Sequence, residues 1–480
     1  MSILRYTASA DTTITNAYES NMVTRGTGSN MGYADALEVF SIYGQESGSN
    51  GQSPELSRIL MSFPTSQMST DRTAGRLGAS GSVAFVLKLY NASTPWTLPQ
   101  DFNLVVAPVS RPWREGDGLD MDNYQDLGTQ VGGDYRSVNN HNVRFPLGFE
   151  NLEVDISNLV ERWINGTQTD YGLGIKLTGS QEAYFSSSVG AESGSVLQNT
   201  QGATQSYYTK RFFSRSTEFF FRRPVIEARW NDRVTDDREN FLYSSSLAPA
   251  ADNLNRLYMY NYIRGRLVNI PKVATGNILV SFYSGSATAP TGAKIKLPIG
   301  GDVAATNDLN ATGSYSSTGL YSVDVALTAA ATPLQKVYEV WHSGAVEYYT
   351  GSLYPALMPT YDSAPTFNRV TSCKNLNKSY SRKETARFRF FVRSKDWSPT
   401  IYTVATPNNP TEIIPSASYS IRRVIDNLNA VPYGTGSNRS TFLSYDKGGN
   451  YFDLNMNLLD PGYMYQIKLA YYNDSIGAWQ

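Results

Sequence analysis

The chain has 480 residues, with 41 Lys+Arg against 42 Asp+Glu for a formal charge of -1, and 33 Tyr among its 12% aromatic residues. That length suits about three domains, and the composition is too rich in apolar and aromatic residues for a disordered chain. The even charge removes the basic footprint of a dedicated nucleic-acid or anionic-membrane binder, while one cysteine, Cys373, and two histidines, His141 and His342, allow no intrachain disulfide, thiolate cage or histidine-rich metal site.

The first residues, Met1-Ser2-Ile3-Leu4-Arg5-Tyr6, turn polar at once and carry no apolar signal region, and no run approaches the roughly 18 apolar residues of a membrane span. The expectation is a protein that is neither secreted by the standard route nor embedded in a membrane.

In chain order, Val83–Tyr90 and Phe102–Val109 read as strands, short apolar and β-branched runs between turn residues. Asp155–Gly166 breaks the pattern. Its apolar positions Ile156, Leu159, Val160, Trp163 and Ile164 follow helical spacing, Asp155 can cap the first turn, and Gly166 can end the helix in the left-handed region. Tyr171–Leu177 resumes as a strand, the Ser/Gly-rich stretch 186–205 reads as a mobile loop, and Phe219–Trp230 reads as the last strand of an N-terminal block. A charged linker is expected at 231–238 and a second, Pro/Ser/Asp-rich one at 355–368. Beyond it, Arg387–Arg393 alternates, with Phe388, Phe390 and Val392 on one face and Arg387, Arg389, Phe391 and Arg393 on the other.

This texture predicts an all-β, multi-domain fold of tandem antiparallel β-sandwiches. Residues 1–230 are expected to form a jelly-roll-like sandwich with one short helix, 231–365 an Ig-like β-domain, and 366–480 a C-terminal β-sandwich.

Five segments of the N-terminal block stand in a telling order: Ala8–Ile14, Ser57–Phe63, Arg111-Pro112-Trp113-Arg114-Glu115-Gly116-Asp117-Gly118, the helix with Trp163, and Tyr171-Gly172-Leu173. Together they resemble the DNRLRE-type module, a β-sandwich like a carbohydrate-binding module that is displayed on cell-surface, secreted and viral proteins. The likeness implies a fold more than a job. The rest, with Asp236–Phe241, Ser244–Leu254, Val340-Trp341-His342-Ser343-Gly344, Tyr349-Thr350-Gly351 and Leu443–Leu454, resembles structural proteins of tailed bacteriophages. That resemblance implies a virion protein, made in the host cytoplasm and released by lysis, a setting that suits an unpaired cysteine.

The chemistry-bearing residues each have a plain reading. The acidic run 117–126 contains Asp117, Asp120, Asp122 and Asp126, oxygen donors of the kind that bind Ca²⁺, but it lacks EF-hand spacing and reads as a solvated turn. Asp236, Asp237 and Glu239 read as linker charge, since nothing places two carboxylates at glycosidase separation. His342 has a hydroxyl beside it in Ser343 but no nucleophile elbow. Cys373, next to Lys374, reads as inert, and Gly434-Thr435-Gly436 as a turn rather than a phosphate loop. Tyr258, Tyr260 and Tyr262 alternate, Tyr463 and Tyr465 repeat the device, and Tyr471-Tyr472 follow. Most of these should pack within sheets and the remainder should serve subunit contacts.

No catalytic residue, cofactor or metal is expected. The reading is a non-enzymatic structural protein of a tailed-phage particle: a head decoration or fibre, a collar or neck, or a baseplate-type subunit. Its partners would be other virion proteins and copies of itself, with neither nucleic acid nor membrane among them. The absence of long heptads or collagen-like repeats favours a compact subunit over a slender distal fibre. The alternative is an adhesin whose residues 1–230 contact host-surface glycans. A third reading, a depolymerase, would require release of reducing ends from host capsule.

Overall fold

The structure is a computed structural model that describes residues 2–16, 31–44, 54–94, 99–116, 140–184, 199–286, 288–305, 308–358, 368–395, 411–434, 437–473 and 477–480. The acidic run from 117 onward, residues 186–198 of the expected loop, 359–367 of the second linker, and Thr435 and Gly436 lie outside them. The fold is all-β and multi-domain, built from antiparallel sheets. Two compact units make it up: Ser2–Asn231 with Leu458–Gly462, and Asp232–Asn457 with Tyr463–Gln480.

The first unit holds two sheets. One orders its strands Ile3–Thr7, Val225–Arg229, Ala84–Leu89 and Leu152–Asp155. The register places Leu4 beside Ala228 and Tyr6 beside Ile226, then Phe85 and Leu87 next in line, so one face is a buried apolar layer. The period of two sends Arg5, Glu227, Arg229, Lys88 and Glu153 to the other face. The second sheet has seven strands, running Tyr207–Phe213, Ala36–Ile42, Glu55–Ser62, Leu173–Leu177, Phe102–Pro108 and His141–Phe145, with Ala10–Thr15 also paired to Glu55–Ser62.

The expected helix is present as Ser157–Ile164, buried through Leu159, Val160 and Trp163. Each such side chain is worth roughly 1.5–3 kcal/mol on burial. Asp155 acts from one position further out than a usual cap: its Oδ1 accepts the Ser157 N–H at 2.8 Å, while Ser157 Oγ accepts the Phe85 N–H at 2.8 Å. Gly166 follows at φ 75°, the left-handed stop. A second helix, Thr65–Thr73, joins it where one was expected. Its sequence, TSQMSTDRT, buries only Met68 and Asp71, so no apolar stripe announces it. Side chains distant in sequence hold it: Tyr6 Oη donates to Asp71 at 2.9 Å, and Arg72 makes a two-pronged bond to Glu161 of the other helix at 2.5 and 2.8 Å. The expected strand Phe219–Trp230 is shorter, with a 3₁₀ turn at Phe220–Arg222 before Val225–Arg229 begins.

The second unit opens on a six-stranded antiparallel sheet: Asn255–Tyr260, Leu320–Val325, Ala311–Ser317, Ile278–Tyr283, Val337–Ser343 and Val346–Leu353. All six strands lend side chains to one core, with Trp341, Tyr321 and Phe282 fully buried in it. Among the described residues a two-stranded sheet, Tyr262–Ile263 with Arg266–Leu267, and two four-stranded sheets complete the unit. One of the latter runs Arg369–Cys373, Thr385–Ser394, Gly449–Asn455 and Ser444–Asp446; the other runs Asn429–Val431, Ala417–Arg423, Tyr465–Asn473 and Ala478–Trp479. Tyr419 of the second stacks on Phe452 of the first with centroids 3.8 Å apart.

The alternation of Thr385–Ser394 is as read: Phe388, Phe390 and Val392 are buried. On its other face, Arg387 pairs with Asp453 and Arg389 with Asp446, and both guanidiniums lie over Tyr451. The tyrosine ladder does not run as one strand. The strand ends at Tyr260 because Asn261 turns its backbone to Gly319 and Val268. Tyr258 is thus buried, Tyr260 half-buried and Tyr262 exposed, the last two stacked with centroids 6.3 Å apart.

Candidate functional site

In the first unit the segments that carried the sequence resemblance meet in space. Ala10–Thr15 pairs with Glu55–Ser62, and the Asp11 N–H donates to Glu115 Oε1 at 2.8 Å. Arg215 clasps Glu115 from Nε and Nη2 at 2.5 and 2.6 Å, and its N–H donates to Asp11 Oδ2 at 2.7 Å. Trp113 Nε1 donates to the Tyr171 carbonyl at 2.7 Å. Gly172, at φ 86°, lies so close to Met61 that a Cβ would stand 2.2 Å from the Met61 carbonyl oxygen, so only glycine fits. Burial pushes the Asp11 carboxyl up to about 7, against the Arg215 N–H that lowers it and with the Glu115 charge that raises it. The carboxylates here tie loops to strands.

Two more charged groups are walled in. Lys210 is buried, with Nζ bonded to Asn91 Oδ1 at 2.6 Å and to the Glu150 and Gly148 carbonyls at 2.7 and 3.2 Å. The rings of Phe145 and Phe212 each lie 4.9 Å from the ammonium. Burial pulls this lysine down to about 8. Glu227 bonds Arg5 at 2.6 Å and Arg229 at 2.7 Å, with Lys88 at 3.3 Å. Burial alone would raise its carboxyl, but the three cations outweigh it and hold the group well below the usual carboxylate range.

In the second unit, 232–239 is no solvated linker. Tyr445 donates its N–H to the Val234 carbonyl at 2.9 Å, and the Asp236 N–H donates to the Tyr445 carbonyl at 3.1 Å. Asp236, read from sequence as linker charge, is buried. It accepts from Arg238 Nη1 at 2.5 Å, while Arg238 Nε and Nη2 reach Glu339 at 2.6 and 3.2 Å. Glu339 stands between Val337 and Trp341 on the core side of its strand and also accepts Trp341 Nε1 at 3.0 Å. Burial, with the Glu339 charge, pushes Asp236 up to about 7 despite Arg238. Asp237 accepts from Tyr445 Oη at 2.7 Å and from the Arg256 N–H at 2.7 Å. Two carboxylates sharing one guanidinium and closed to solvent cannot reach a glycosidic bond.

His342 engages Ser281, not its neighbour Ser343. Nε2 lies 2.7 Å from Ser281 Oγ, and Nδ1 lies 3.1 Å from the Gly344 carbonyl. Ser281 Oγ has one proton and donates it to Asn310 Oδ1 at 2.8 Å, so it does not give that proton to the imidazole as a nucleophile gives one to its base. Ser281 is also 0% exposed, and Lys294 holds Asn310 in turn. No substrate can approach it, and the four side chains brace the sheet. Sequence spacing could not suggest the pair, because the partners are 61 residues apart. Cys373 is half-buried with Asn375 Oδ1 at 3.9 Å, and Lys374 lies over Phe391 instead of serving the thiol.

Open to solvent in this unit is a cleft of about 390 Å³. It is lined by the second half of the edge strand Val346–Leu353 and its continuation to Tyr354, with Tyr338 from the neighbouring strand, Pro290, Lys336 and Lys447. Among the described residues no group of three or more His, Cys, Asp or Glu is placed to hold a metal ion, and no helix is long and apolar enough to cross a membrane.

No family model matches this chain, and no curated protein does. Among solved structures the chain is similar to the crystal structure of a Salmonella alpha-2-macroglobulin mutant, with 10% identity and a TM-score of 0.13, over 97% of this chain and 32% of that one. The chain spans about a third of that structure's length, and a likeness this faint carries no argument about fold or function.

Proposed function

We propose that the protein is a non-enzymatic structural subunit of a tailed-phage particle, acting through contacts with other virion proteins and with copies of itself. The observation that carries this reading is an apolar patch in the second unit. The turn after Ala417–Arg423 presents Val424 and Ile425, the latter 77% exposed. The Val424 N–H donates to the Met464 carbonyl at 2.9 Å, which brings Met464, 75% exposed, and Tyr463 alongside. Arg423 fixes the base of the patch through Asp426 at 2.6 Å and lies over the Tyr463 ring at 4.6 Å. Isolated apolar side chains on a surface mean little, but a contiguous group held in place by its own ion pair marks a contact surface.

The polar groups support the same reading, since the carboxylates and the serine–histidine pair described above are engaged in bracing the fold. Native mass spectrometry of the full chain tests it. The wild type should assemble into a closed oligomer at about 10 µM chain, an affinity range that such contacts reach. The double variant Ile425→Asp, Met464→Asp should be monomeric with an unchanged melting temperature. A monomeric wild type, or a variant that still assembles, would count against the reading.

A further inference from the structure

We propose that the cleft along the edge strand Val346–Leu353 is a binding site for an acidic saccharide, a sugar bearing a carboxylate. The inference goes beyond the particle assignment and does not depend on it. Its volume of about 390 Å³ lies within the range of small-ligand sites, and its chemistry is selective.

Three phenol rings contribute to it. Tyr354 is 61% exposed and Tyr349 42%, so both offer aromatic surface to a ligand, while Tyr338 is buried beside the Lys336 ammonium. Exposed aromatic faces beside Thr350 and Ser352 suit a sugar ring, which has an apolar C–H face and a polar rim.

The lining supplies the charge preference. Lys336 stands with its ammonium 4.7 Å from the Tyr338 ring centroid, and Lys447 projects from the turn between Ser444–Asp446 and Gly449–Asn455. Arg238 also lines the cleft, but its charge is balanced by Asp236 and Glu339. Two lysines therefore face a single exposed carboxylate, Glu239, and the net positive lining favours an anionic ligand.

The wall is also formed in advance. Gly351 lies opposite Glu339 in the sheet, and a Cβ there would meet Glu339 Oε1 at 2.6 Å and Tyr349 Oη at 2.7 Å. The glycine thus lets the Tyr349 ring fold back along the strand, where Arg238 lies 5.8 Å from its centroid. A site ordered before binding loses less entropy on closing over its ligand. The nearby buried carboxylates, locked on Arg238, leave the site able to hold a sugar but not to cleave it.

The test uses the full chain, titrated calorimetrically and by saturation-transfer NMR against uronate disaccharides of galacto, gluco and manno configuration, N-acetylneuraminate, and the neutral counterparts of the disaccharides. At least one acidic sugar should bind saturably and about tenfold more tightly than its neutral counterpart, weakening as salt is added. Tyr354→Ala, at an exposed position, should weaken it about tenfold. The double variant Lys336→Gln, Lys447→Gln should lose the preference for acid while melting as the wild type does. Absence of saturable binding to every acidic sugar, equal binding of the neutral counterpart, or indifference to Tyr354→Ala would each overturn the proposal.

Discussion

Asp11 and Glu227 are both buried carboxylates of the first unit, yet their surroundings drive them in opposite directions. Asp11 has one N–H donor and a neighbouring carboxylate, and burial raises it to about 7. Between the ordinary carboxylate value and 7, the folded chain holds a proton that the unfolded chain has released, so this group makes stability fall as pH rises through that window. Asp11→Asn keeps an acceptor for the Arg215 N–H and has no charge to bury. Chemical denaturation at pH 5 and 8 should show the variant gaining on the order of 1–3 kcal/mol over the wild type at the higher pH, and little at the lower.

Glu227 is the reverse case. Its three cations depress it, so its contribution is present above the usual carboxylate range and disappears as pH falls through its own lowered value. Glu227→Gln leaves Arg5, Lys88 and Arg229 facing only Glu153, and should cost about 3 kcal/mol at pH 7 in urea melts, with the deficit shrinking in acid. Neither residue could be placed by sequence alone. Glu227 is 222 residues from Arg5, and the alternation that puts both on one sheet face appears only once the register is known.

The two helices show what a local pattern can and cannot disclose. Ser157–Ile164 was legible because Leu159, Val160 and Trp163 repeat at helical spacing and pack on the sheet. Thr65–Thr73 was not, since a run of Thr, Ser, Gln and Asp also describes a loop, and its order comes from Tyr6, Arg76 and Glu161. The same division holds in the second unit. Thr385–Ser394 declared itself by alternation, whereas 231–238 looked like a linker because its charges find partners far along the chain, among them Arg256, Glu339 and Tyr445. The cleft had one trace in the sequence, the Tyr349-Thr350-Gly351 triplet, but nothing there told that the glycine makes room for the tyrosine. Gly351→Ala tests that fit. The added methyl would press on Glu339 and Tyr349 Oη, so the second unit should lose about 1–3 kcal/mol in thermal or chemical melts. A variant as stable as the wild type would show that the edge strand yields.

At the scale of the molecule, an all-β, multi-domain architecture was readable from the dense punctuation of short strands by turn residues, and the structure has it. The surface proposed for partner contacts was not readable, because Val424, Ile425 and Met464 are ordinary strand-type residues in sequence and form a patch only when the turn at 424–428 meets the start of Tyr465–Asn473. The proposed role follows from that patch together with polar groups engaged in bracing the fold. The most direct measurement is quantitative mass spectrometry of density-gradient-purified phage particles from a culture in which the chain is made. A subunit of the particle should appear there in several copies per virion, at a fixed ratio to the major head and tail proteins through repeated banding. Its absence from particles, with the chain found only in the surrounding lysate, would contradict the account.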